Sequence, residues 1–297
     1  MSETIGNPLS WSVDAAKGAG HYVGSVTGRL GSGDPERAAL PAVRKIGMED
    51  LRAALREGYA DFVACRSDVV FLCLIYPVIG LVLAWAFFSG NLLPLVFPIL
   101  SGFALVGPVA AVGLYEMSRR REAGQTPRWS DGFAVLKSPS FGAIFVLGAV
   151  LFLIFLVWII TAHGIWAATL GPEQPASLGA FVGQVFSTGA GWAMMLLGLA
   201  VGFLFAVVVL AISVVSFPLL LDRDVGLPVA VVTSFRVATE NPGPVAAWGL
   251  IVAAGLALGS LPFLLGLIVV LPVLGHATWH LYRRAVEPEP TEIRAGA

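Results

Sequence analysis

The chain has 297 residues, of which 57% are hydrophobic and only 12% charged, about half the charged share of an ordinary soluble domain. A soluble protein of this size covers its surface with polar groups, and this chain holds too few. That excludes a water-soluble globular enzyme, a nucleic-acid binder and a disordered chain. A formal net charge of -1 makes no field for a polyanionic partner, and two cysteines, Cys65 and Cys73, supply neither a disulfide framework nor a zinc signature.

Residues 1–40 contain Glu3, Asp14 and many Gly and Ser, but no apolar run of signal-peptide length. They read as a flexible cytoplasmic tail. A membrane domain follows over 41–285, and 286–297 form a cytoplasmic C-terminal tail. Between Val69 and Tyr115 there are 47 residues without Asp, Glu, Lys or Arg. About 20 apolar residues cross the hydrocarbon core, so this block folds back on itself, with Ser89-Gly90-Asn91 as the turn. The predicted spans are 69–88 and 92–117. Charge-free stretches at Ser138–Pro172, Gln174–Leu221 and Asn241–Tyr282 add spans at 141–163, 192–221, 244–260 and 262–282, the last two parted at Gly259-Ser260-Leu261-Pro262.

The fold class is therefore all-α, a polytopic bundle of six transmembrane helices. All 18 Lys and Arg fall before the first span, after the last one or in the loops 118–140 and 222–240. The connections 89–91, 164–190 and 259–262 contain none. An even span count places both termini on the positive side, which is the cytoplasmic one.

Both ends of the membrane domain follow one pattern. Pro98 and Pro108 are ten apart, with Arg119-Arg120 eleven beyond. Pro262 and Pro272 repeat the spacing, with Arg283-Arg284 eleven beyond. The constant shift is 164 residues, and proline at equal spacing implies equal helix shape through its missing N–H. Each hairpin also follows an amphipathic stretch. Leu51, Leu55 and Phe62 share one face while Arg52, Arg56 and Asp61 point elsewhere. Trp129, Phe133 and Leu136 recur at helical spacing in the second stretch. Leu227, Val231, Phe235 and Ala238 do so in the third, with Pro228 in its first turn. The reading is three copies of one unit, an interfacial helix followed by a transmembrane hairpin. Gly198 and Gly202, and Gly255 and Gly259, provide close-approach faces for helix packing.

Some stretches resemble a bacterial membrane family, domain of unknown function 2189. They are Ser216-Phe217-Pro218-Leu219-Leu220-Leu221-Asp222-Arg223-Asp224-Val225-Gly226 and Leu271-Pro272-Val273-Leu274-Gly275-His276-Ala277-Thr278-Trp279-His280-Leu281-Tyr282-Arg283-Arg284. Val43-Arg44-Lys45-Ile46, Asp50-Leu51 and Gly107-Pro108 are similar to it as well. The resemblance covers about 40–285. It implies an integral inner-membrane protein of alphaproteobacterial type and carries no activity. Some members of the family are labelled as similar to subunit I of cytochrome c oxidase.

The residues exclude the catalytic role of that label. A haem-copper core needs about six intramembrane histidines. This chain has four, with His21 in the tail and His163 at the opposite membrane face from His276 and His280. His276 and His280 lie one turn apart on one helix face, and Glu116 holds the repeat position of His280. Glu116, His276 and His280 form the candidate polar cluster at the cytoplasmic face. The alternative is interfacial anchoring, with Glu116 paired to Arg119. Asp222-Arg223-Asp224 caps the fourth span, and Arg223 is expected to dock the next interfacial helix or to pair with acids locally. No phosphate loop, Gly-x-Ser-x-Gly or metalloprotease helix is present.

The expectation is a non-enzymatic protein without catalytic residues, metal or cofactor. It acts as a scaffold or accessory subunit in the bacterial inner membrane and binds the lipid bilayer, a membrane-protein partner or a second copy. The alternative is a channel or transporter for a small solute built on kinks at Pro98, Pro108, Pro262 and Pro272.

Overall fold

The computed structural model describes residues 40–73, 93–171, 173, 175–261 and 264–288. These residues form helices and no strand; one isolated bridge joins Val43 to Val286. In chain order the helices are α1 (Met48–Cys73), α2 (Val96–Ala110), α3 (Val112–Glu122), α4 (Phe141–Thr169), α5 (Leu178–Ser187), α6 (Gly189–Ser213), α7 (Ser216–Asp222), α8 (Leu227–Glu240), α9 (Pro242–Ser260) and α10 (Leu267–Ala285). Short 3-10 segments cover Leu93–Leu95 and Trp129–Lys137.

Among the described residues, four helical stretches are long and apolar enough to cross a membrane: Val96–Glu122, Phe141–Thr169, Gly189–Asp222 and Pro242–Ser260. They match the second to fifth predicted spans. The span at 69–88 lies mostly outside the described residues. For 262–282 the structure gives α10, 19 residues long and outside this set of four. Its inner half carries His276, His280, Arg283 and Arg284, which lower its apolarity.

Breaks and starts also differ from the expected bounds. Ala111 is a turn between α2 and α3, three residues past Pro108, whose missing N–H leaves the preceding turn one bond short. Pro272, its repeat counterpart, sits inside an unbroken α10. Equal proline spacing therefore does not give equal helix shape here. The span expected at 192–221 begins at Gly189, breaks at Val214-Val215, and is preceded by α5 within the supposed outer loop. The side-chain oxygens of Ser177 and Thr188 cap α5 and α6 by accepting from the backbone N–H groups of Ala180 and Gly191.

Three amphipathic expectations need correction. Asp61 does not point away from the bundle; it is buried, because α1 packs along α10 and α3 on both sides of it. Residues 129–137 form a 3-10 helix, with Phe133 and Leu136 exposed and Val135 buried. In α8 the buried face is Ala230, Thr233, Ser234 and Val237, while Phe235 is exposed. The small residues let α8 approach α6 and α7 closely; Leu227, Val231 and Ala238 are half-buried against the core, and only Phe235 of that stripe faces outward. The tails are partly tied: Glu287 N–H donates to Ala42 and Arg44 N–H to Ala285.

The core between α2, α4 and α6 follows helical periodicity. Ile144, Leu147, Leu151, Trp158 and Trp166 of α4 are buried, and Trp158 Nε1 donates to the Pro98 carbonyl at 2.9 Å. A Cβ on Gly202 would stand 3.0 Å from the Trp158 ring, so this glycine is a close-approach point, while Gly198 faces open space. Gly255 and Gly259 face Val270 and Leu267 of α10. The remaining α6 surface is apolar and exposed, as with Leu196, Phe203 and Leu204. A membrane protein presents such a surface to lipid.

Candidate functional site

The inner half of α10 is clamped between α1 and α3. Leu51, Ala54, Gly58, Asp61, Phe62 and Cys65 recur every three or four residues and form the buried face of α1. Gly58 sets the distance: a Cβ there would lie 2.5 Å from the Ala277 backbone nitrogen. This close approach brings Asp61, nearly one turn further, between α3 and α10.

Asp61 is the hub. Its Oδ2 lies 2.8 Å from His280 Nε2 and accepts from Ser118 Oγ at 2.7 Å. Its Oδ1 is 3.1 Å from Arg121 Nε. Ser118 Oγ is also 2.7 Å from His276 Nδ1. The serine has one hydrogen, which goes to Asp61, so His276 donates through Nδ1 and leaves Nε2 as a bare acceptor. That nitrogen is buried and has no partner among the described residues. His280 Nδ1 faces Glu57 Oε2 at 3.1 Å, and the two Glu57 oxygens accept from Arg284 at 2.6 and 2.9 Å. A chain of polar contacts thus runs from Glu57, at ion-pair distance from His280, and is hydrogen-bonded from His280 through Asp61 and Ser118 to His276. A cavity of about 380 Å3 opens beside it, lined by Glu57, Asp61, Arg121, Glu122, His280, Arg283 and Arg284.

The carboxylates are tuned by these partners. Burial alone pushes the Asp61 carboxyl up, but the hydrogen bonds from His280 and Ser118 and the nearby imidazoles outweigh it and hold the group below its usual range. Glu57 is held below its usual range chiefly by its hydrogen bond from Arg284.

The expected trio divides. His276 and His280 belong to one network, joined through Asp61 and Ser118. Glu116 is buried in another, taking Arg119 at 2.8 and 3.0 Å and Arg120 at 2.7 Å. Glu57, Asp61 and Ser118 escaped the sequence reading. The regular 51-54-58-61-65 spacing was the signal for Asp61; nothing local marks Ser118.

The same construction recurs at α3. Gly113 opposes Gly132, where a Cβ would lie 3.2 Å from a backbone oxygen, and Arg120 pairs at 2.8 Å with Asp131, which precedes Gly132. On α10, Ala277 opposes Gly58, and Arg284 pairs with Glu57, which precedes Gly58. At the third junction Ser216 Oγ donates to the Ala230 carbonyl at 3.1 Å. Gly113, Ser216 and Ala277 each lie seven residues before an arginine: Arg120, Arg223 and Arg284. Val229 precedes Ala230, so Arg223 lacks an equivalent acid and donates instead to the Glu287 carbonyl.

The inner ends of α3, α7 and α10 meet one another. Tyr282 Oη donates to Asp222 at 2.6 Å, and Arg283 reaches Glu122 at 3.0 Å and Asp222 at 3.4 Å. Trp279 Nε1 donates to Glu122 at 2.9 Å. Asp222 therefore fastens α10, while Arg223 lies 3.7 Å from Asp222 beside it. Phe217, Trp279 and Tyr282 are fully buried at this meeting point.

Residues 96–222 match a family model described as "Predicted integral membrane protein (DUF2189)". This segment holds Gly107-Pro108 and Ser216–Asp222 of the resembling residues; 43–51 and 271–284 lie beyond it. No curated protein and no solved structure matches the chain.

Proposed function

We propose, from the premise that residues 96–222 form a DUF2189 membrane segment, that the protein is a non-enzymatic scaffold or accessory subunit of a bacterial inner membrane. It crosses six times with both termini cytoplasmic, and three hairpin units surround the meeting point of α3, α7 and α10. The Gly113–Gly132, Ser216–Ala230 and Ala277–Gly58 contacts support that arrangement. In each, the second helix of one hairpin packs on the amphipathic segment of the next, and α1 closes the ring onto α10.

The observation that carries the scaffold reading is the filled centre. Phe217, Trp279 and Tyr282 are fully buried, and Asp222, Glu122 and Arg283 lock the three inner ends around them. A solid cytoplasmic end suits a rigid platform better than a conducting path. The exposed apolar sides of α4 and α6 remain for lipid or a membrane-protein partner. The test is purification in gentle detergent, with co-purifying proteins, lipids and metals read by mass spectrometry alongside a visible spectrum. A stoichiometric protein partner is expected. A lone protein overturns the reading, and a haem band overturns its non-enzymatic part.

The chain from Glu57 to His276 favours a second reading, a channel or transporter for a small solute or proton. It joins a polar cavity to a buried ring nitrogen at the end of a membrane helix. Flux in liposomes that falls with Pro108→Ala, Pro272→Ala or His276→Ala in a folded protein would establish it.

A further inference from the structure

The 3-10 segment 129–137 covers its junction with Val135 buried and Phe133 and Leu136 exposed. Beside it an apolar slot of about 480 Å3 runs between α2, α3 and α4. Gly113 and Gly132 keep its base free of side chains. Phe133, Leu136, Phe145 and Phe152 form its walls, each more than half exposed at 51, 60, 65 and 52%. The wall on α4 runs from Phe141 to Phe152. At 1.5 Å per residue that is about 16 Å, roughly half the hydrocarbon core and so the depth of one leaflet.

The slot begins at the cationic face. Arg128 and Lys137 stand at the two ends of the 3-10 segment, both exposed and without an acidic partner among the described residues. The neighbouring Arg120 is already taken by Glu116 and Asp131. A leaflet-deep apolar slot, lined by a 3-10 segment with an exposed cation at each end, complements one kind of amphiphile. We propose that this slot binds the acyl chain of an anionic phospholipid of the inner leaflet, with its phosphate held by Arg128 and Lys137. The inference rests on the membrane-scaffold reading and names one lipid site for it.

Ala149 is exposed and lines the slot, so Ala149→Trp fills it without displacing a buried contact. The test is native mass spectrometry of delipidated full-length protein, titrated with phosphatidylglycerol or phosphatidylethanolamine carrying the same chains. Wild type is expected to retain the anionic lipid at least tenfold better. Ala149→Trp, at unchanged melting temperature, is expected to lose that retention tenfold. Arg128→Glu with Lys137→Glu is expected to lose the headgroup preference. Equal retention by wild type and Ala149→Trp overturns the site, and no headgroup preference in wild type overturns the anionic assignment. A wild-type dimer that Ala149→Trp converts to monomer makes the slot a subunit contact and also overturns the proposal. The scaffold reading fails separately, when wild type brings down no stoichiometric protein partner.

Discussion

Asp61 on α1 and His280 on α10 meet at 2.8 Å although 219 residues separate them in sequence. The contact fastens the first described helix to the last. Breaking a buried charged pair by removing one partner costs about 3–5 kcal/mol, because the other groups keep their burial and lose their hydrogen bond. Asp61→Ala strands Ser118, His280 and Arg121 together, so its cost should fall in that range. Asp50→Ala is the control, since Asp50 is only half-buried and 3.9 Å from Arg284. Thermal melting in detergent should show a large drop for the first and a small one for the second. Equal drops would mean that Asp61 is no hub.

Acid should release the same contact. Asp61 and Glu57 are held below their ordinary values of 3.8 and 4.5 in the folded protein. A lowered folded value means the unfolded chain binds protons first as pH falls. Their stabilisation is thus fully present above about pH 5 and is lost as pH drops through the folded values, below about 4. The melting temperature should hold between pH 8 and 5 and fall beneath 4. In Asp61→Asn the fall should be shallower. A steep loss already between pH 7 and 6 would assign the transition to other groups.

Close approach at Gly58 gives a prediction with a built-in ranking. A Cβ there lands 2.5 Å from the Ala277 backbone, which cannot swing aside. At Gly113 the nearest atom is 3.2 Å away, in the short 3-10 segment. Overpacking costs about 1–3 kcal/mol. Gly58→Ala should reach the upper end and Gly113→Ala the lower, by melting in detergent. A reversed order would mean that the α1–α10 contact is looser than the α3 contact.

The sequence carried the membrane class because charge-free runs are set by the bilayer itself and need no tertiary knowledge. Gly113, Ser216 and Ala277 share a seven-residue distance to an arginine, but that pattern has no meaning until the three junctions are seen. Helix faces were harder. In α8 the apolar recurrence Leu227, Val231, Phe235 and Ala238 marked the helix, yet its fully buried face is Ala230, Thr233, Ser234 and Val237, since helices in a membrane associate through small residues. Asp61 was misplaced for the mirror reason. A charged residue on an amphipathic stretch reads as solvated until a partner helix brings Ser118 and His280 to it. Ser118 and Asp61 are 57 residues apart, and no local pattern encodes that meeting. The split of Glu116 from the histidines has the same origin, since Arg119 and Arg120 on its own helix reach it first.

The six-span arrangement fixes which loops share a side. In a background with Cys65 and Cys73 replaced by Ala, single cysteines at Gln125, Glu173 and Pro288 report on three exposed or tail positions. Gln125 follows the arginines of α3, Glu173 follows α4, and Pro288 follows α10. The 29-residue α4 has a mean hydropathy of 3.1 over its best window, so it should cross and put Glu173 opposite Gln125. Three further passages, or one, would return Pro288 to the side of Gln125. An impermeant maleimide on sealed vesicles of known orientation should therefore label Gln125→Cys and Pro288→Cys together, and Glu173→Cys from the other face. Labelling of Gln125→Cys and Glu173→Cys from one face would mean that α4 does not span. Labelling of Pro288→Cys with Glu173→Cys would mean an even number of crossings after α4, and would remove α10 from the membrane.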